Sequence, residues 1–162
     1  MEYVRNDETK GPQMNQSQPG GSPAKIPGTL YSIGEVADIL GVSIPLIRLY
    51  EREGLIIPMR RDSKHRRYSM VDIDRIRSVR RMINEEKVSM EGLKRLLSLV
   101  PCWKINGCDE SAVKECGAYN QHNVPCWIAE HRGDRCESVD CRTCSVYAEY
   151  SDFDSIKKII AR

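Results

Sequence analysis

The feature that most constrains the fold is a pair of short helix patterns separated by a glycine. Ser32 followed by Glu35 predicts a capping box that begins the first helix, and Gly41 ends that helix. Ser43 can cap a second helix, which is predicted to end at Gly54. Two short helices joined by a tight, glycine-containing turn indicate a helix-turn-helix.

A strongly basic stretch follows the second helix pattern. Residues 55–57 and 66–68 are predicted to be the strands of a small hairpin. Five of the eight residues from Arg60 to Arg67 are lysine or arginine. Such a tip can neutralise DNA phosphates while a helix enters the major groove, so the pattern predicts a DNA-binding winged helix. The alternative for the charge run alone is a solvated loop. The candidate residues at the tip are Arg60, Arg61, Lys64, His65, Arg66 and Arg67.

The distribution of charge supports this interpretation better than the total charge does. The whole chain carries 25 basic and 23 acidic side chains, which argues nothing by itself. Residues 31–100 carry 14 basic and 10 acidic side chains, whereas residues 101–162 carry 8 basic and 10 acidic ones. The positive charge is therefore concentrated around the helix-turn-helix, as a nucleic-acid-binding surface requires.

Five short motifs occur through this segment: I-G-E-V-A at 33–37, G-V-S at 41–43, I-R-L-Y-E at 47–51, G-L-I-I-P at 54–58 and H-R-R-Y at 65–68. In combination they resemble the DNA-binding domain of the MerR family of bacterial transcription regulators. The resemblance implies a homodimer that binds a near-palindromic promoter site in double-stranded DNA and acts with RNA polymerase. The family pattern implies DNA contacts from Ser43, Arg48, Tyr50, Arg60, Arg66 and Tyr68.

Three positions depart from the family pattern. Leu49 stands where a second aromatic residue is common, and Lys64 stands where glycine often precedes the wing strand. Pro101 is predicted to stop the chain where most relatives continue into a long helix that forms a coiled-coil dimer. The mode of dimerisation is therefore left open by the sequence.

Two further helices complete the predicted DNA-binding domain, which spans residues 31–100. Ser69 with Asp72 caps the third helix, and Ser89 caps the fourth. The apolar positions predicted to face the core are Ile73, Ile76, Val79, Ile83, Met90, Leu93, Leu96, Leu97 and Val100. The arginines predicted to lie on other, solvated faces of the third helix are Arg75, Arg77, Arg80 and Arg81.

Residues 1–30 are predicted to be a disordered tail. They hold four of the eight prolines and four of the eleven glycines, with few large apolar residues to offset the entropy of ordering. The tail lacks the apolar core of a signal peptide, and no stretch approaches the roughly 20 apolar residues of a membrane span. We therefore expect a cytoplasmic protein without a membrane partner.

Residues 101–162 form the second predicted domain, which holds all seven cysteines and both tryptophans. A faint repeat runs through it, in which P-C-W is followed by C-x7-C-x2-Y, twice. Trp103 and Tyr119 belong to the first unit, and Trp127 and Tyr147 to the second. The cysteines are Cys102, Cys108, Cys116, Cys126, Cys136, Cys141 and Cys144.

Metal binding is the preferred interpretation of these cysteines. A DNA-binding protein works where thiols are kept reduced, and an odd number leaves one thiol unpaired in any full set of disulfides. Thiolates suit both iron–sulfur clusters, which we prefer, and zinc. The set predicted as most favourable is Cys126, Cys136, Cys141 and Cys144; the other three cysteines could supply a substitute ligand, a second site with His122 or His131, or redox thiols.

The sequence thus predicts a mainly α protein: a winged helix-turn-helix domain plus a small cysteine-rich, metal- or cluster-binding domain. The expected function is transcription regulation, with the cysteine-rich module sensing metal or redox state. The alternative is a zinc-stapled module that builds the dimer or recruits a partner without sensing. No catalytic triad or phosphate-binding glycine loop is present, so no enzyme activity is expected.

Overall fold

The computed structural model describes residues 28–60, 65–130, 133–137 and 139–149. Within them the fold is mainly helical. The predicted tail before residue 28 and the predicted short helix near residues 154–160 lie outside the described residues. The elements in chain order are α1 (Ile33–Leu40), α2 (Ile44–Arg52), β1 (Met59–Arg60), β2 (Arg66–Arg67), α3 (Met70–Asn84), α4 (Met90–Ser98), α5 (Cys102–Ile105), α6 (Glu110–Glu115), α7 (Gly117–Asn120), α8 (Asp134–Glu137), a 3₁₀ turn (Cys141–Thr143) and α9 (Ser145–Glu149).

Polar caps begin the helices of the first part of the chain. The Ser32 hydroxyl accepts from the Glu35 amide, and the Glu35 carboxylate accepts from the Ser32 amide, at 3.3 and 2.7 Å. The same reciprocal box begins α3 at Ser69, so both predicted capping boxes are confirmed. Ser43 does stand at the N-cap of α2, but its side chain makes no capping hydrogen bond there. Pro45 occupies the first turn of α2, where its fixed φ favours a helix start.

The first strand of the wing hairpin lies later in the chain than predicted, whereas the second lies within its predicted range. Its strands pair antiparallel with Met59 opposite Arg67, whereas the first strand was expected at residues 55–57. Those three residues have other roles: Leu55 and Ile56 are buried in the core, and the Ile57 amide donates to the hydroxyl of Tyr147 at 2.8 Å. Since these groups are occupied by the core and by a distant tyrosine, pairing begins only after Pro58.

One hydrophobic cluster joins the winged helix to the cysteine-rich segment. Helices α1 and α2 pack on each other, and α3 packs on both α1 and α4. Trp127, Val146 and Tyr147 of the second segment are buried in the same cluster. The buried members from the first segment are Val36, Ala37, Ile47, Tyr50, Leu55, Ile56, Tyr68, Ile73, Ile76, Val79, Met82, Leu93, Leu97 and Val100.

The chain turns at Pro101 instead of extending α4. Helix α4 ends at Ser98, and Pro101 is the N-cap of the four-residue helix α5. In the described residues after α3, no helix is longer than nine residues. The predicted interruption after Val100 is therefore present. Within the described parts of the chain, no helix is long and apolar enough to span a membrane.

Candidate DNA-binding surface and cysteine cluster

A basic surface lies where the start of α1, helix α2 and the second wing strand meet. These elements surround an open depression of about 360 Å³. Arg48 is exposed on α2, and His65 is exposed at the start of the second wing strand. The residues that line the depression are Ser32, Ile33, Arg48, His65, Arg66 and Arg67. Four of the residues predicted to contact DNA are thus brought together on one surface.

Glu51 of α2 fixes the second wing strand beside that surface. Its carboxylate pairs with the Arg66 guanidinium at 2.8 Å and also accepts from the Tyr68 hydroxyl. Burial, followed by the hydrogen bond to Glu51, raises the pKa of Tyr68, so its hydroxyl remains a donor. Tyr68 also forms a backbone bridge with Tyr31 through two hydrogen bonds of 2.8 and 2.9 Å. The wing is therefore attached to both ends of the helix-turn-helix.

The other predicted contact residues have different positions. Tyr50 and Tyr68 are 3% and 0% exposed, so they lie in the core behind the basic surface and not on it. Burying these large rings removes much apolar surface from water, which stabilises the two tyrosines in the core. Ser43 is exposed at the start of α2. Arg61, Lys64 and the side chain of Arg60 lie outside the described residues.

Four of the seven cysteines, Cys102, Cys126, Cys141 and Cys144, pack against the hydrophobic core. The Cys102 side chain and burial, followed by the charges of Cys144 and Cys141, raise the pKa of the Cys126 thiol. The predicted favourable set had Cys136 in place of Cys102, which the sequence analysis named as a possible substitute ligand. We call Cys102, Cys126, Cys141 and Cys144 the inner cysteines.

The remaining cysteines form the outer group around Cys136. This group consists of Cys108, Cys116 and Cys136, and Cys136 interacts electrostatically with both of the others as well as with Cys102 and Cys144. Burial raises the pKa of the Cys136 thiol to about 11. Gly133 lies beside Cys116: a Cβ at Gly133 would stand 3.8 Å from the Cys116 Sγ.

Two inner cysteines share a hydrogen bond between their side chains. This bond lowers the pKa of Cys102 to about 7 and raises that of Cys126, because the proton is held on one sulfur while the other accepts. A thiolate is the form that ligates a metal, so the pair favours a ligand state at Cys102. The Cys144 thiol lies 3.7 Å from the Asn106 Oδ1.

The donor set fits a thiolate-bound centre in chemistry. Four half-buried thiols, from α5, from the loop before Trp127 and from the 3₁₀ turn and the residue after it, pack against one core, and soft sulfur donors suit zinc and iron–sulfur clusters. Among the residues that the structure describes, no three cysteine, histidine or carboxylate side chains stand close enough to hold a single metal ion. His122 is exposed, and His131 lies outside the described residues.

The internal repeat has a physical counterpart in two tryptophan–tyrosine pairs. Trp103 meets Tyr119 at 4.9 Å between ring centroids and 87° between planes. Trp127 meets Tyr147 at 5.2 Å and 85°. Both are edge-to-face arrangements, which aromatic quadrupoles favour. The first pair lies near the surface, with Tyr119 40% exposed, whereas the second pair is buried against the winged helix.

The buried pair encloses Arg75 of α3. The Arg75 guanidinium lies 4.0 Å from the centroid of the Tyr147 ring and 5.0 Å from that of Trp127, and it donates to the Tyr147 carbonyl. At 1% exposure Arg75 is not on a solvated face, so that prediction was wrong. Cation–π contact with two rings compensates the loss of water around the charge.

Two further hydrogen bonds attach the pair to the winged helix. The Trp127 indole N–H donates to the Gly54 carbonyl at 2.8 Å. The Tyr147 hydroxyl accepts from the Ile57 amide at 2.8 Å and donates to Asp72 at 3.1 Å. Burial raises the pKa of Tyr147, which keeps that hydroxyl protonated and able to donate.

The sequence analysis did not predict the tertiary contacts of Arg75 and Asp72 with Tyr147, nor those of Glu51 with the second wing strand. A signal was present for Arg75: it lies three residues after Asp72 and four before Val79, on the buried face of α3. Its identity as an arginine outweighed that spacing. For Tyr147 the repeat marked the residue, but its partners are 75 and 90 positions away. Such contacts carry no local sequence signal.

Comparison with known proteins agrees with the fold of the first segment. Residues 31–99 match the family model described as MerR HTH family regulatory protein. These residues therefore form a MerR-family helix-turn-helix domain, as the motifs predicted.

Curated relatives extend this similarity. The chain is similar to the HTH-type transcriptional regulator MlrA of Escherichia coli, with 35% identity over 109 residues that cover 65% of this chain and 44% of MlrA. It is also similar to the heavy metal-dependent transcription regulator 2 of Rhizobium meliloti, with 39% identity over 51% of this chain and 54% of the relative. The mercuric resistance operon regulatory protein of Bacillus cereus is 39% identical over 43% of this chain and 53% of the relative. The chain thus spans about half the length of these relatives. No solved structure matches it.

Proposed function

We propose that this protein is a cytoplasmic transcription regulator that binds double-stranded promoter DNA as a homodimer and acts with RNA polymerase. The observation that carries the DNA-binding proposal is the surface formed by Arg48, His65, Arg66 and Arg67 at the junction of the helix-turn-helix and the wing. Cations at this junction are placed to hold phosphates while α2 enters the major groove. The family of residues 31–99 supports the same role.

The DNA-binding proposal predicts a loss of affinity when Arg48 is removed. We would select a 30-bp duplex from a random-sequence pool on the wild-type protein and measure Kd over a range of salt concentrations. Arg48→Ala should weaken binding by about tenfold and make the dependence of log Kd on log salt shallower by about one unit if the arginine holds a phosphate. Unchanged Kd and salt dependence would exclude the basic surface as the DNA contact.

Arg95→Ala is the matched control for that measurement. Arg95 is exposed on α4, away from the residues that line the depression. The Arg95→Ala substitution removes the same charge from the same domain but not from the basic surface, so its effect on Kd should be at most about twofold. Equal losses for both variants would indicate a general charge effect and not a contact at Arg48.

The cysteine-rich segment is proposed to bind an iron–sulfur cluster through the inner cysteines, with zinc as the second possibility. The packing of these four thiols against one core supports the site, and the adjoining Trp127 would shield it from water. A bound cluster would supply one-electron redox chemistry. Heavy-metal and mercury regulation in the names of two relatives supports a metal- or redox-responsive role.

Metal analysis of protein purified without oxygen tests this centre. Iron and sulfide in matching amounts with visible absorption would support the cluster, whereas tightly bound zinc without colour would support the structural alternative. Cys141→Ser should remove most of the bound metal, and the control Cys116→Ser should retain it. Absence of both metals from the wild type would contradict the proposed centre.

A structural zinc module is the second candidate function. The observation that favours it is the continuous core between the two segments, because a metal that only stabilises that core needs no sensing role. In that case oxidant would leave the affinity for the selected duplex unchanged. A cluster-based sensor should instead change Kd by at least about fivefold on oxidation.

A further inference from the structure

We propose that Trp127 and Tyr147 are positioning residues that transmit the state of the inner cysteines to the wing, with Arg75 enclosed between them. This inference rests on the proposed regulatory function and names the contacts by which it acts. We call Trp127, Tyr147, Arg75 and Asp72 the coupling contact. The coupling contact connects the inner cysteines to the winged helix of the same chain.

The contact begins at the cysteines. Cys126 directly precedes Trp127, so a shift of the backbone at this cysteine is passed to the tryptophan through one peptide bond. Cys144 lies in the turn before Tyr147, where its carbonyl accepts from the Tyr147 amide at 3.0 Å. Each aromatic residue of the buried pair is therefore attached to an inner cysteine by one peptide bond or one helical turn.

The contact ends at the base of the wing. Trp127 donates to the Gly54 carbonyl, and Gly54 lies two positions after Arg52, the last residue of α2. Tyr147 holds the Ile57 amide two residues before the first wing strand begins. A shift of the buried pair thus changes the position of the segment that connects α2 to the wing.

Tyr147 also connects this segment to the third helix. The same hydroxyl that accepts from Ile57 donates to Asp72, whose other oxygen closes the capping box of α3 with Ser69. Arg75 adds a second attachment to α3 one turn later. The buried pair therefore holds the segment before the wing and the start of α3 together, and the second wing strand contributes Arg66 and Arg67 to the basic surface.

A double-mutant cycle on DNA affinity tests the inference. The variants are Cys102→Ser, which disturbs the inner cysteines from α5, and Tyr147→Phe, which removes only the hydroxyl. Kd is measured for the selected 30-bp duplex with wild type, both single variants and the double variant. If Tyr147 transmits the disturbance, Cys102→Ser should change Kd by at least about fivefold in the wild-type background and less than twofold in the Tyr147→Phe background.

The outcomes distinguish a failure of the coupling contact from a failure of the proposed regulatory function. Additive effects would overturn the coupling contact while leaving the regulatory function in place, since a merely structural tyrosine predicts additivity. No effect of Cys102→Ser on Kd in the wild-type background would overturn both, because the cysteines would then not influence DNA binding. Metal content is measured on every variant, so loss of the centre by Cys102→Ser is verified independently.

Matched variants come from the first unit of the repeat. Tyr119→Phe removes the equivalent hydroxyl from the exposed pair, and the effect of Cys102→Ser should persist in its background. Thermal unfolding by circular dichroism verifies that each variant is folded. As a second probe, hydrogen exchange at the Ile57 amide should accelerate in Tyr147→Phe and in Cys102→Ser, but not in Tyr119→Phe; unchanged exchange in Cys102→Ser would overturn the coupling contact.

Discussion

Arg75 shows how one residue decides the relation between the two segments. Its charge is buried at 1% exposure between two aromatic rings from a segment more than fifty residues away. A buried guanidinium is tolerated because it lies against both rings and its Nη2 group donates a hydrogen bond to the Tyr147 carbonyl. An arginine on a helix can therefore be part of a core when aromatic partners approach from elsewhere in the chain.

Replacing this planar cation should weaken the junction even when the charge is kept. Arg75→Lys retains the positive charge but loses the flat face that stacks on Tyr147, so we expect a loss of about 1–3 kcal/mol in the free energy of unfolding. Denaturant titration measures it. Arg77→Lys on the same helix is the control: Arg77 is half-exposed and pairs with Asp74, so its change should stay within about 0.5 kcal/mol. Equal effects at both positions would contradict the stacking role.

At the scale of elements, the turn after α2 and the loop of Trp127 fit against each other. Gly54 has a φ of +70°, and a Cβ there would lie 2.6 Å from the Ile128 Cδ1. Glycine is thus required twice, for the left-handed backbone and for the close approach. The turn that follows α2 is consequently part of the interface with the cysteine-rich segment.

Paired glycine substitutions separate these two requirements. Gly54→Ala should destabilise more than Gly41→Ala, because Gly41 has a φ of +61° but open space around its Cβ position. Both variants carry the strain of a left-handed alanine, so we assign the difference, about 1 kcal/mol, to the clash with Ile128. Chemical denaturation provides both values. Adding Ile128→Ala to Gly54→Ala should remove the difference; persistence of the full difference would locate its cause elsewhere.

The wing shows a second effect at this scale. Residues 55–57 have the apolar, β-branched character of a strand, yet they pack in the core and the strand begins at Met59. The Ile57 amide is bound by Tyr147 and Pro58 has no amide hydrogen, so neither can extend the ladder. A tertiary hydrogen bond has overridden local strand propensity.

For the whole molecule, the decisive feature is that one core serves both segments. Trp127, Val146 and Tyr147 belong to the same buried cluster as the winged-helix residues. Apolar burial is shared across the boundary near residue 100, so each segment stabilises the other. The shared core thus gives the cysteine-rich segment a direct contact with the winged helix that needs no long connecting helix.

The sequence by itself determined the local elements of the winged helix. Capping boxes at Ser32 and Ser69, the glycine at Gly41 and the apolar spacing of α3 and α4 act within a few residues, so their outcome is readable from the chain. The basic run from Arg60 to Arg67 was readable for the same reason, since its residues are consecutive, whereas its meeting with Arg48 and the start of α1 depends on the fold.

Only the tertiary structure decided which cysteines meet and how the second segment docks. Cys102 joins Cys126, Cys141 and Cys144, and Tyr147 reaches Ile57 and Asp72, through contacts between residues tens of positions apart. Such contacts depend on how complete elements pack and not on local spacing. Burial of Arg75, Tyr50 and Tyr68 was likewise decided by packing; polarity had placed Arg75 on a solvated face, and the family pattern had placed the two tyrosines at the DNA contact.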